Sequence, residues 1–291
     1  MPGTHTQGLV KKQTLTEAEA TAIEQLISIC NCYEGLHMRL DVGALRQRPG
    51  NETNDFLYYE DGVLVGYLFV EGWGSRDREL AGMVHTDYRR RGIFSSLLNA
   101  AKEECQQRDV QKLIIVCEHF SQSGLAFVNA LGAHHEYSEH EMVLGIFQER
   151  RNIYKALHIR QANSSDLDAI VSVLATDSGN VESVNRWVAK LFEEPTSRFY
   201  LATLDQKPLG CLRLDFMSDQ VGIYAFEVRL GYRGLGYGRQ MLEEAIRAIS
   251  AETQKRIMLD VETDNTNAIG LYLSCGFEIK TTYDYYGLII S

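Results

Sequence analysis

The chain repeats itself. Residues 56–133 find counterparts in residues 200–277 at a constant offset of 144 positions, with no insertion between them. Asp61, Gly66 and Leu68 correspond to Asp205, Gly210 and Leu212, and Arg89, Gly92 and Gly132 correspond to Arg233, Gly236 and Gly276. Any one identity arises easily by chance; a common offset shared with matching apolar patterns does not. A duplicated chain folds as two copies of one architecture, so a pattern legible in one half constrains the other. The 291 residues suit two medium domains. They are expected at 1–150 and 151–291, with the polar, unpatterned stretch 148–156 as the linker.

The second copy reads clearly. Strands are expected at 158–162, 198–204, 209–216, 221–229 and 257–261, with one or two more in 277–290. The turn Asp205-Gln206-Lys207-Pro208 joins the second and third of these. Helices are expected at 166–174, capped near Ser164 or Ser165, and at 184–192. An amphipathic helix at 236–250 carries Met241, Leu242, Ile246 and Ile249, and a helix at 266–274 stops at Gly276. The first copy offers strands at 55–60, 63–72, 78–85 and 112–118 and helices at 92–107 and 123–131, with His134-His135 in a turn. Hairpins followed by one strand–helix–strand crossover imply a mixed α/β fold, a largely antiparallel sheet flanked by helices.

Charge narrows the partners. A net charge of −10 argues mildly against nucleic acid, which asks for a basic face. It is compatible with a cationic substrate such as an amine or polyamine, though an acidic surface more often serves solubility alone. No apolar run reaches the length of a membrane span, so a cytoplasmic protein without membrane contact is expected. The cysteines at 30, 32, 105, 117, 211 and 275 and the scattered histidines form no metal-ligand spacing. Whether chains form a homodimer is left open.

The chemistry concentrates in Arg233-Gly234-Leu235-Gly236-Tyr237-Gly238-Arg239, which opens a helix directly after an apolar strand. Glycines let a ligand approach the backbone, and unpaired N–H groups at a helix start attract phosphate. The third glycine comes two residues after the second, not the three a dinucleotide fingerprint needs. Later, Asn265-x-x-Ala268-x-x-Leu271-Tyr272 leads into Gly276-Phe277.

Both segments, in this order and context, resemble the GNAT superfamily of N-acetyltransferases, well over 158–291 and more weakly over 11–146. The tandem pair, better preserved in its second half, is similar in architecture to mycothiol synthase. The resemblance implies acetyl-CoA as cosubstrate and an amine, on a small molecule rather than on a protein, as acceptor. It assigns the pyrophosphate to the amides of residues 233–239 and the pantetheine arm to the backbone of Val228, Arg229 and Leu230. It gives Asn265 a contact with that arm or a part in ordering the strands, and gives Tyr272 the protonation of the leaving thiolate.

The reaction makes matching demands. An alkyl amine, with a pKa of about 10.4, must lose a proton before attack, and a phenol near 10 can serve the departing sulfur. Asp260 lies twelve residues before Tyr272, the spacing of base and acid in ribosomal-protein N-terminal acetyltransferases, which have Glu there. Glu227, beside Val228, is the other candidate base, and proton loss through water is a third route. A protein N-terminus as acceptor and a non-catalytic acyl-CoA sensor are the competing functions. In the first copy Phe94 replaces Gly238, Ser121 replaces Asn265 and Val128 replaces Tyr272. Valine cannot donate a proton, so that copy is expected to be catalytically idle, while the amides of residues 92–96 at its helix start leave cofactor binding open.

Overall fold

The computed structural model describes residues 6–40, 42–46, 48–72, 77–150, 157–178 and 180–290; the end of the expected linker, 151–156, lies outside them. In chain order the first repeat forms β1 (Gly8–Lys12), α1 (Glu17–Glu34), α2 (Val42–Arg46), β2 (Asp55–Glu60), β3 (Val63–Glu71), β4 (Asp77–Val84), α3 (Ile93–Gln106), β5 (Lys112–Glu118), α4 (Gln122–Leu131) and β6 (His134–Leu144). The second forms β7 (His158–Gln161), α5 (Leu167–Ser178), α6 (Val181–Phe192), β8 (Ser197–Leu204), β9 (Lys207–Phe216), β10 (Gln220–Val228), α7 (Tyr237–Glu252), β11 (Arg256–Glu262), α8 (Thr266–Cys275) and β12 (Phe277–Ile289). No helix among the described residues is long and apolar enough to cross a membrane.

Local chemistry explains the boundaries. Thr16 caps α1 in a reciprocal box with Glu19, and Gly35 ends it in the left-handed region at φ 70°. The hairpin joining β8 to β9 turns on Asp205 (φ 49°) and Gln206 (φ 65°), and the one joining β2 to β3 on Asp61 (φ 51°) and Gly62 (φ 80°). Two consecutive positive-φ residues match the twist of the flanking strands.

Two compact units result, one comprising Met1–Ser138 with Thr281–Ser291, the other Glu139–Lys280. The division expected at 150 therefore differs from the packing, and the last strand of each repeat is the reason. Residues 283–289 of β12 pair with β5 in the first unit, whereas residues 139–143 of β6 pair with β11 in the second. Each unit takes its closing strand from the other repeat. His134 and His135, expected in a turn, begin β6, and His135 bonds Ser138 at 2.9 Å.

Each unit has the same plan. Antiparallel pairing joins β1 to β2, β2 to β3 and β3 to β4, and likewise β7 to β8, β8 to β9 and β9 to β10. A parallel pair, β4 with β5 or β10 with β11, follows in each. Helices bury both faces. In the second unit Leu242 and Ile246 of α7 pack with Leu259, Val261 and Tyr272 on one face, and Ile170, Val188, Phe199 and Cys211 pack on the other. In the first unit Leu97, Leu113 and Val128 occupy one core and Ile23, Leu26, Tyr67 and Met83 the opposite one. A fully buried side chain of this kind contributes about 1.5–3 kcal/mol.

Candidate active site

The parallel strands of the second unit pair only briefly. Gln220, Val221 and Gly222 meet Arg256, Ile257 and Met258, and there the ladder ends, although β10 runs on to Val228 and β11 to Glu262. Beyond Gly222 the two strands diverge, leaving a gap lined by main-chain groups of both. A bulge contributes to the divergence: the register of β10 on β9 slips between Tyr224 and Glu227, and Ala225 takes φ 46° there. The amide of Arg229 bonds the carbonyl of Leu209 on β9 at 2.9 Å. Strand alternation then turns the N–H and C=O of Val228 toward the gap.

The glycine loop follows at once. A 3₁₀ turn at Leu230–Tyr232 leads to Gly234 (φ 75°) and Gly236 (φ 80°), and Gly236 is the N-cap of α7. A β-carbon at either position would be strained. The first-turn amides of α7, from Tyr237, Gly238 and Arg239, have no carbonyl to bond within their own helix. That cluster of donors at the positive end of a sixteen-residue helix fits a diphosphate. Leu230 and Leu235 are exposed around it, and the Tyr237 ring lies 6.2 Å from that of Tyr232.

The arginines divide. Arg233 stays at the loop, its Nε donating to Val228 O at 2.6 Å and its Nη2 to Glu227. Arg229 turns to α5, where its Nη2 donates to Ser172 Oγ at 2.6 Å. Arg239 fastens α7 to the end of α8 through the Ser274 carbonyl and hydroxyl, with Glu243 beside it at 3.3 Å. The side chains of Arg229 and Arg239 are thus engaged in packing, and only their backbone belongs to the loop. Asn265 caps α8, its Oδ1 accepting from Ala268 N at 3.2 Å.

The titratable groups stand on opposite faces of the sheet. Tyr272 is 7 % exposed in the core beneath α7 and α8, with ring neighbours Phe226 at 6.2 Å and Phe277 at 6.0 Å. Burial, aided by the negative charge of Glu227, pushes its phenol up to about 12. Glu227 lies opposite Cys211 on β9, and Cys211 belongs to the core under α5 and α6, so Glu227 shares that face. Asp260 does too, because Ile257, Leu259 and Val261 take the α7–α8 side.

Opposite Asp260 and Glu262 on β11 stand Glu141 and Glu139 of β6, again on the α5–α6 face, since Met142 and Leu144 point the other way. Sequence reading missed these two glutamates. They belong to the first repeat by position and reach the second unit only through the exchanged strand.

The family model for acetyltransferases of the GNAT type matches residues 23–133 and again 167–277. The chain belongs to the GNAT family of acetyltransferases. The two matched spans are offset by the 144 residues of the internal repeat, so this is a tandem GNAT protein. It is 25% identical over 291 aligned residues to a mycothiol acetyltransferase of Geodermatophilus obscurus, covering 90% of this chain and 92% of that protein. It is 28% identical over 148 residues to N-alpha-acetyltransferase 30 of Saccharomyces cerevisiae, covering 46% of this chain and 81% of the yeast protein. Among solved structures, a GCN5-related N-acetyltransferase from Sphaerobacter thermophilus superposes with a TM-score of 0.81 at 19% identity, over 99% of this chain and 97% of that one, a likeness of fold. GNAT enzymes are acyltransferases, and the family generally uses acetyl-CoA.

Proposed function

We propose that the second unit transfers an acetyl group from acetyl-CoA to the amine of a cationic small molecule. The observation that carries this reading is the gap between β10 and β11, with a buried phenol on one face and carboxylates on the other. Acetyl-CoA supplies the thioester. The loop 233–239 and the start of α7 hold its diphosphate, and Val228 offers an N–H along the gap for its amide-bearing arm, its carbonyl being braced by Arg233.

Glu227, Asp260, Glu262, Glu141 and Glu139 line one face of the three strands framing the gap. A negative wall concentrates a cationic amine and helps orient it. Glu227 or Asp260 takes the proton that the amine must lose before its nitrogen bonds to the thioester carbon. Tyr272 donates to the sulfur as the carbon–sulfur bond breaks. Raised to about 12, this phenol is a weaker acid than a thiol near 8.5. Tyr272 therefore stabilises the departing thiolate by a hydrogen bond rather than by complete proton transfer. Fixing both reactants in one cleft contributes the rest.

A second reading, acetylation of a protein N-terminus, draws on the twelve-residue spacing of Asp260 and Tyr272 and on the likeness to the yeast N-alpha-acetyltransferase. One experiment separates the two. Thiol release from acetyl-CoA is followed with a panel of di- and polyamines, neutral amino acids and peptides with free N-termini. Turnover confined to polycations, lost in Glu227→Gln or Asp260→Asn, supports the first reading; turnover confined to peptides overturns it.

A further inference from the structure

The first unit keeps the skeleton of the same cleft. Its parallel strands pair from Asp77 to Leu80 against Lys112 to Ile115 and then separate, with β4 continuing to Val84 and β5 to Glu118. Arg90 (φ 65°) and Gly92 (φ 78°) repeat the conformations of Gly234 and Gly236. Arg89 donates through Nε to Val84 O at 3.1 Å, as Arg233 does to Val228.

The carboxylate that answers this arginine is different. Where the second repeat has Glu227, the first has Met83, buried in the core against α1. Arg89 bonds instead to Glu34, the last residue of α1. Glu34 also reaches the first turn of α4, accepting from Ser123 Oγ at 2.7 Å, Ser121 Oγ at 3.3 Å and Ser123 N at 3.5 Å. Arg89 follows β4 and the two serines follow β5, so one carboxylate ties together the lips of the gap. Ser121 stands at the position of Asn265.

The chain around Glu34 reinforces the crossing. Cys30 Sγ lies 3.5 Å from Val84 O, the carbonyl at the end of β4. Three residues beyond Glu34, the amide of His37 donates to Glu118 at the end of β5, and its carbonyl accepts from Tyr283 Oη at 2.6 Å. Burial opposes a charge on Glu34, but the bonds from Ser123 and Arg89 outweigh it and hold this carboxyl below the ordinary glutamate range. It is an anion at neutral pH, held by charge-assisted bonds.

We propose that Glu34 is a built-in occupant that closes the first cleft, so that the first unit takes up no acyl-CoA. The side chain takes up the arginine at one lip of the gap and the α4 hydroxyls and amide at the other, so it bridges the opening through which a cofactor arm would enter. The number of cofactors per chain, one, rests in addition on the reading of the second unit given above.

Calorimetric titration of the full chain with acetyl-CoA tests this by difference. Glu34→Ala is expected to bind one more equivalent than the wild type, raising the count from one to two. An unchanged count overturns the proposal, as does a wild type that already binds two. The second unit's reading is judged separately by Arg233→Ala and by whether the wild type binds at all, so the two failures are distinguishable. Should Glu34→Ala fold poorly, Glu34→Gln keeps the volume and loses the charge. Hydrogen exchange at residues 119–125 should then slow on adding acetyl-CoA in that variant and not in the wild type; the same response in both, or in neither, contradicts the proposal.

Discussion

Arg233 donates through Nε to the carbonyl of Val228 at 2.6 Å, bracing the end of β10 against the loop that follows it. Its Nη2 meets Glu227, so one guanidinium joins the strand end, a candidate base and the glycine loop. Because the α7 amides remain when the side chain is removed, Arg233→Ala is expected to weaken acetyl-CoA binding by about tenfold, or ~1.4 kcal/mol. Arg233→Lys should recover part of this, since lysine keeps the charge without the fork. Calorimetry reads both, and wild-type affinity in the alanine variant would remove the side chain from the site.

The pH dependence follows from the burial of Tyr272. A phenol raised to about 12 stays protonated through the working range and fails as a donor only above that value. Turnover limited by free amine should therefore rise with pH toward the amine's own pKa of about 10. No descending limb should come from Tyr272 below about pH 11. A fall with a midpoint under 10 that disappears in Tyr272→Phe would contradict the burial described.

Alkaline stability should follow the same groups. Cys117 is pushed up to about 12 by burial, with Asp284, Glu118 and Glu34 adding to it, and Tyr272 reaches a similar value. Both pKa values are higher in the folded state. The unfolded chain thus releases these protons first, and stability present below about pH 9 declines as pH rises toward 12. Urea midpoints measured from pH 7 to 11 should fall steadily above pH 9. A flat profile would speak against buried, protonated groups at both positions.

Backbone geometry makes Gly276 sensitive. It ends α8 at φ 99°, and a β-carbon there would come 2.0 Å from the carbonyl oxygen of Ile146. Gly276→Ala is expected to cost about 2 kcal/mol or more, lowering Tm by roughly 4–8 °C. Differential scanning calorimetry measures it. A variant as stable as the parent would show that this backbone relaxes freely.

Much of the fold was legible because the repeat let each half vouch for the other. The hairpins, the helices after Gly92 and Gly236 and the caps at Asn265 and Gly276 all follow from local chemistry, and so they were readable. The exchange of β6 and β12 was not, since strand partners depend on contacts distant in sequence. Glu139 and Glu141 were missed for that reason. β1 and α1, preceding the span where the two copies align, were also passed over, and with α1 went Glu34. Spacing placed Arg229 and Arg239 at the loop, but spacing carries no side-chain direction: one turns to Ser172 and the other to Ser274.

Transfer at the gap between β10 and β11 is tested most directly by Tyr272→Phe, with turnover and acetyl-CoA affinity measured on the same preparation. Removing one hydroxyl from a group that acts on the leaving sulfur should lower kcat by about 10²-fold and leave acetyl-CoA affinity within about threefold of the parent. Undiminished kcat at undiminished affinity would mean that the thiolate departs without this tyrosine.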